Sequence, residues 1–207
     1  MSGTAADTAP RLVLSVLRDI ISGRSPLTAV RHPLGFLCFP VQRQGENGIC
    51  LHLWSPAAER ALTTSEIHAH SWDLLSYVLY GTLRDERLHV AEAASSATHR
   101  IFEVRSHGDA DELRATDRLV TCRLTTAGEQ RAGDAYMLPA GEFHATVVPG
   151  TVDAATLVLS RSRPGGADLS LGPIPGRNHT VTRSRCDPTQ TARAASLIAD
   201  RLSADIR

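Results

Sequence analysis

Gly133-Asp134-Ala135-Tyr136-Met137-Leu138-Pro139-Ala140-Gly141-Glu142-Phe143-His144 is the stretch whose reading decides the fold. Gly133 opens a short apolar segment (Ala135, Met137, Leu138). Pro139 and Gly141 then make a tight turn, because proline presets its φ and glycine accepts the left-handed region. Phe143-His144-Ala145-Thr146-Val147-Val148 returns as a second strand. Such a hairpin delivers His144 to a sheet face. Upstream, His68-Ala69-His70 lies in an extended stretch. Side chains alternate faces along a strand, so both imidazoles point the same way, with Cβ atoms roughly 7 Å apart. Three imidazoles gathered at one point can hold a divalent transition metal and leave coordination positions open, which separates a catalytic centre from a structural one.

Outward from these two stretches the texture is that of a β protein. After Pro33 come short segments rich in β-branched and aliphatic residues, punctuated by Gly, Pro and Asp. They predict strands near 35–39, 48–54, 66–72, 74–80, 84–91, 99–106, 117–126, 134–138, 143–148 and 154–161, with an edge segment at 178–184. Many short strands with turn signals argue for a sandwich or barrel over a parallel α/β sheet. Helical spacing appears at both ends. Leu12, Leu14, Val16, Leu17, Ile20 and Ile21 fit a helix from Pro10 that Gly23 stops, and Ala192, Ala195, Leu197, Ile198 and Leu202 fit one after Pro188. Residues 1–9 read as a disordered start, 10–207 as one domain, and the Pro/Gly-rich stretch 164–177 as a surface loop.

These histidine stretches resemble the cupin superfamily. Its first motif is a glycine, two histidines at i and i+2, a glutamate four residues on and a glycine seven beyond that; its second is Gly-x5-Pro-x-Gly-x2-His. Gly133, Pro139, Gly141 and His144 match the second in full. His68, His70 and Gly81 match the first, but Leu62 stands for the early glycine and Leu74 for the metal-binding glutamate. The resemblance spans about residues 45–162 and implies an all-β cupin jelly-roll β-barrel (a double-stranded β-helix), commonly a homodimer. Without the glutamate, the site resembles three-histidine cupin metalloenzymes of the thiol-dioxygenase type, in which iron(II) binds substrate and O2 together. Asp73 adjoins the vacated position. Positions 68, 70 and 72 share a face, so Asp73 becomes a ligand only through a bulge; otherwise it makes a hydrogen bond at the strand end or behind a ligand.

Composition sets the remaining bounds. At 207 residues, 42% hydrophobic and 21% charged with zero formal net charge, the chain can bury a substantial core and shows no electrostatic footprint for nucleic acid or an anionic membrane. All 22 basic residues are arginine, which removes Schiff-base and lysine general-base chemistry. Cys38, Cys50, Cys122 and Cys186 form no CxxC pair and read as free thiols of a reducing compartment. No signal peptide or membrane-length apolar run is recognisable, so the expected location is cytoplasmic.

A lone histidine on a strand is ordinarily a partly buried polar residue, and His32, His52, His89, His99, His107 and His179 are read so; His52, between Leu51 and Leu53, could line the barrel. Further pocket candidates are Trp72, Tyr77, Tyr80, Tyr136, Arg84 and Arg123. Tyr80 as a hydrogen-bond donor and Arg84 as a carboxylate clamp are the catalytic candidates among them. Imidazole suits iron, nickel, copper, zinc and manganese alike, and the resemblance tilts the choice to Fe(II). Three functions compete: an oxygenase acting on a small chelating metabolite (a thiol, amino acid or diketone); a metal-assisted isomerase, lyase or hydrolase; and a non-enzymatic small-ligand-binding cupin. Sugar-nucleotide epimerases rank lower, and no helix-turn-helix marks a transcription regulator.

Overall fold

Trp72, Leu74, Ser76 and Val78 turn to one side of their strand and Tyr77 and Leu79 to the other, and that alternation organises the molecule. The computed structural model describes residues 5–55 and 65–205. One antiparallel sheet runs in the order β1 (Val30–His32), β2 (Phe36–Gln44), β3 (Asn47–Trp54), β11 (Ala154–Ser162), β5 (Trp72–Tyr80), β9 (Ala135–Leu138). The other runs β13 (His179–Thr182), β8 (Ala110–Arg131), β6 (Thr82–Glu92), β10 (His144–Val147), β4 (His68–Ala69), β12 (Asp168–Gly172), β7 (His99–His107). Since β7 also pairs with β8, the pairing of this second sheet closes into a ring. From β3 to β6, and again from β9 to β12, successive strands alternate between the sheets. That alternation is the jelly-roll winding expected from the sequence.

Two helices cover the outer side of the first sheet. Helix α1 (Ala5–Ile21) buries Val13, Leu14, Leu17 and Ile20. It starts at Ala5, inside the segment expected to be disordered; Ala5, Ala6 and Ala9 have the strongest helix propensity, which offsets part of the cost of Pro10 inside the helix. Leu12 points to solvent. Helix α2 (Pro188–Asp205) opens on a capping arrangement in which the Asp187 carboxylate accepts the Gln190 N–H and the Gln190 side chain accepts the Asp187 N–H. Its buried stripe is Ala194, Ala195, Ile198 and Leu202, while Leu197, expected on that stripe, is exposed. Both helices pack with Phe39, Leu51, Leu53 and Leu79 in one cluster. Each fully buried side chain there contributes about 1.5–3 kcal/mol.

Three further expectations change. The stretch 164–177 is not a plain loop, since β12 pairs with both β4 and β7. Its strand character is masked because Gly172 sits against Phe102: an added Cβ would lie 2.6 Å from the ring. Strand β8 starts at Ala110 rather than near 117, and its two halves serve different neighbours. The strand expected at 66–72 is cut to two residues before β5 begins. Leu62 lies outside the described residues.

Candidate metal centre

His68 on β4 stands directly opposite His144 on β10. Directly opposed residues of an antiparallel pair project on the same side, so the register alone places two imidazoles together. His70 follows two residues later, and its carbonyl accepts the Gly141 N–H at 2.8 Å. The Pro139–Gly141 turn is thereby docked beside the first histidine pair. Ring centroids lie 4.3 Å (68–144), 4.7 Å (68–70) and 5.0 Å (70–144) apart. One donor atom from each histidine falls within 4.8 Å of the others.

The orientation of these rings is fixed from behind. Nδ1 of His68 is 2.8 Å from the Glu66 carbonyl, and Nδ1 of His144 is 3.1 Å from the Glu142 carbonyl. A carbonyl only accepts, so each Nδ1 carries the proton and each Nε2 lone pair is left for a metal. His70 is held differently, stacked on Trp72 at 4.0 Å. Burial lowers the pKa of all three, His68 to about 3 and His144 to about 4, with the neighbouring imidazoles adding to the effect on His68 and His70. The set is neutral at physiological pH, as metal ligation requires.

Asp73 is no part of this group. Its carboxylate accepts the Ala140 N–H at 3.0 Å and pairs with Arg163, both on the far side of β5. The chain bends at Ser71 and crosses to the other sheet before Trp72, so these two contacts, and not strand parity, set Asp73 apart from the histidines. The residue instead ties the hairpin turn before His144 to the strand after His70. Leu74, in the vacated glutamate position, does face inward, where it packs with Leu138, Val158, Trp72 and Tyr136 as an apolar wall.

The two catalytic candidates are also corrected. Tyr80 is buried in the cluster between the first sheet and the helices, its hydroxyl pKa raised by burial. A bulge in β5 itself, where Thr156 faces Val78 and the adjacent Ala155 faces Tyr80 so that Leu79 is the extra residue, breaks the alternation and sends Tyr80 to the same side as Leu79. Arg84 lies outside, half exposed and paired with Glu86. Tyr77 packs toward the helices and Arg123 is exposed. Of the aromatic candidates, Trp72 and Tyr136 face the interior. The Tyr136 hydroxyl lies beside Ser76 and Thr146, and burial raises its pKa, keeping it a proton donor.

Several groups escaped the sequence reading. Arg87, opposite His144, donates to Asp85, to both oxygens of Glu142 and to the Met137 carbonyl. Asp85 is almost wholly buried, its pKa raised chiefly by desolvation, and its Oδ1 has no partner among the described residues. His32 joins His68 and His70 around a cavity of about 90 Å³ that also touches Ser170 and Arg183. Arg183 is held by Asp111. The cavity is far below the roughly 300–1,000 Å³ of sites for drug-sized ligands, so its occupant is small. Arg87 lies within the strand expected at 84–91, which runs Thr82–Glu92, but nothing in that strand alone marked its pairing with His144. Nothing in the sequence marked His32.

No family model matches the chain, and no curated protein does. Among solved structures it is similar to a cupin-2 domain protein from Shewanella frigidimarina (12% identity, 60% of this chain and 78% of that one, TM-score 0.32). KdgF from Halomonas sp. is similar at 13% identity, 62% and 82% coverage and TM-score 0.35. Hydroquinone 1,2-dioxygenase from Sphingomonas sp. TTNP3 is similar at 14% identity, 59% and 64% coverage and TM-score 0.35. These are cupin-type structures.

Proposed function

We propose that this chain is a mononuclear metal enzyme in which His68, His70 and His144 hold iron(II), and that it oxygenates a small polar metabolite able to chelate the ion. The observation that carries the reading is the convergence of three neutral imidazoles, two with Nδ1–H engaged by carbonyls. When bound, iron(II) supplies a Lewis-acidic centre with open positions for substrate and dioxygen. The protein's own part is positioning and exclusion of water. Leu74 supplies apolar surface where a fourth ligand is absent, and Trp72 fixes the His70 ring. Tyr136 offers a hydroxyl proton, and Arg87, neutralised by Asp85 and Glu142, braces the turn whose Glu142 carbonyl orients the His144 ring. Asp85, with an unpartnered oxygen and a raised pKa, can hold a proton.

That buried carboxyl also favours a second reading, in which zinc occupies the site and Asp85 serves as acid or base for a non-oxidative reaction. Elemental analysis of protein purified without chelator separates the two, followed by oxygen uptake with a panel of small thiols and amino acids after anaerobic iron(II) loading. Iron near one per chain, lost in His144→Ala together with oxygen uptake, supports the oxygenase. Bound zinc with no oxygen uptake under iron loading refutes it.

A further inference from the structure

The hairpin of β2 and β3 presents a second cluster of ligating side chains. Leu37 and Phe39 on β2 alternate with Cys38, and Leu51 and Leu53 on β3 alternate with Cys50 and His52. The four apolar residues pack against the helices. Cys38, Cys50 and His52 therefore face the other way, into the barrel, where Cys38 packs against the Phe36 and Trp54 cluster. Cys38 is the cross-strand partner of His52, and Cys50 is partnered by Pro40. One donor atom from each of Cys38, Cys50 and His52 lies within 4.8 Å of the others. All three side chains remain partly accessible.

We propose that Cys38, Cys50 and His52 form a second metal site, distinct from the three-histidine centre, for a thiolate-preferring ion such as zinc(II). The ligand chemistry selects that class. Two sulfurs and one imidazole nitrogen suit a soft or borderline cation with tetrahedral preference, whereas three imidazoles do not discriminate in this way. Zn–S bonds of about 2.3 Å at tetrahedral angles place the sulfurs about 3.8 Å apart, inside the observed envelope. Three protein ligands leave the fourth position open toward the barrel interior.

A disulfide is the competing use of two neighbouring cysteines, and the register opposes it. Cys38 and Cys50 are diagonal across the strand pair, since the residue directly opposite Cys38 is His52. Diagonal neighbours have Cα atoms roughly 7–8 Å apart, beyond the 4.4–6.8 Å usual for a disulfide. A metal bridges that span without moving backbone. Binding displaces the remaining thiol protons to solvent and changes no oxidation state.

The two sites share the barrel. A run of ring contacts connects them: His32, which lines the cavity beside His68 and His70, stacks on Phe36 at 4.3 Å, and Phe36 lies 4.5 Å from His52. The second ion therefore sits behind the wall of the cavity that serves the first.

Anaerobic titration of the reduced full-length protein with cobalt(II) tests the assignment, because thiolate-to-cobalt charge transfer absorbs in the near ultraviolet and imidazole ligation does not. Two equivalents should bind, with the band growing to one equivalent. Cys38→Ser and Cys50→Ser should each abolish the band and remove one equivalent, while His144→Ala should remove one equivalent and keep the band. Should the cysteine variants fail to fold, zinc protection of two of the four thiols from a thiol reagent in the wild type, lost in His52→Ala, is the substitute readout. Absence of the band in the wild type, its survival in both cysteine variants, or a mass showing a Cys38–Cys50 disulfide in protein isolated under reducing conditions would overturn the proposal. Failure here leaves the three-histidine reading untouched, since that site is reported by the equivalent lost in His144→Ala.

Discussion

Lowering the pH of the metal-free protein should unfold it in a window set by its buried histidines. An imidazole that titrates at 6.5 in the unfolded chain and lower in the fold binds protons preferentially when unfolded. Stability is therefore full above 6.5 and falls as pH drops below that value. His68 titrates at about 3 and His144 at about 4. At pH 5 both are still neutral in the fold and largely charged in the unfolded chain, so each removes about 2 kcal/mol relative to pH 7, together about 4 kcal/mol. His68 and His70 keep some solvent contact, which makes that sum an upper figure, although His70 adds loss of the same sign. The assay is urea denaturation of chelator-treated protein at pH 7 and pH 5, beside a His68→Asn/His144→Asn double variant. The wild type should lose several kcal/mol and the variant distinctly less. Equal losses in both, or a flat profile in the wild type, would refute the claim that these imidazoles are held neutral by burial.

Other consequences are equally direct. Gly81→Ala should cost at least about 2 kcal/mol, because φ there is +81° and a Cβ would come within 2.7 Å of Ala154 and the Asp153 carbonyl; thermal melting should show a Tm lower by roughly 4–8 °C. Leu74→Glu should restore a carboxylate facing the triad, so metal competition titrations should show tighter binding while oxygen uptake falls with the lost open position. Asp73→Ala should weaken metal binding without removing a ligand, since it frees the Ala140 turn from β5; an unchanged metal affinity would mean the hairpin needs no such tie. Asp85→Asn should raise stability at pH 7, because desolvation lifts this carboxyl's pKa and its charge is a cost above the unfolded value; oxygen uptake should fall, and denaturant midpoints with an oxygen electrode check the two halves.

The jelly-roll winding and the convergence of His68, His70 and His144 were legible in the chain alone. Strand alternation put His68 and His70 on one face, and the Pro139–Gly141 turn announced the hairpin that brings His144 back. Those are local facts, readable from periods of two residues and from the dihedral preferences of proline and glycine. Parity could not place Asp73, because the chain leaves one sheet after Ala69 and joins the other at Trp72. What the tertiary structure decided was everything that depends on register between strands far apart or across an irregularity. A bulge at Leu79 in β5 turned Tyr80 toward the helices; pairing with β10 set Arg87 opposite His144 and Asp85 opposite Thr146; and the β2–β3 register drew Cys38, Cys50 and His52 into one cluster although they look scattered along the chain. Pleat period is written in each strand alone, whereas register is set by the packing of all of them together, and one residue of slip exchanges inside for outside.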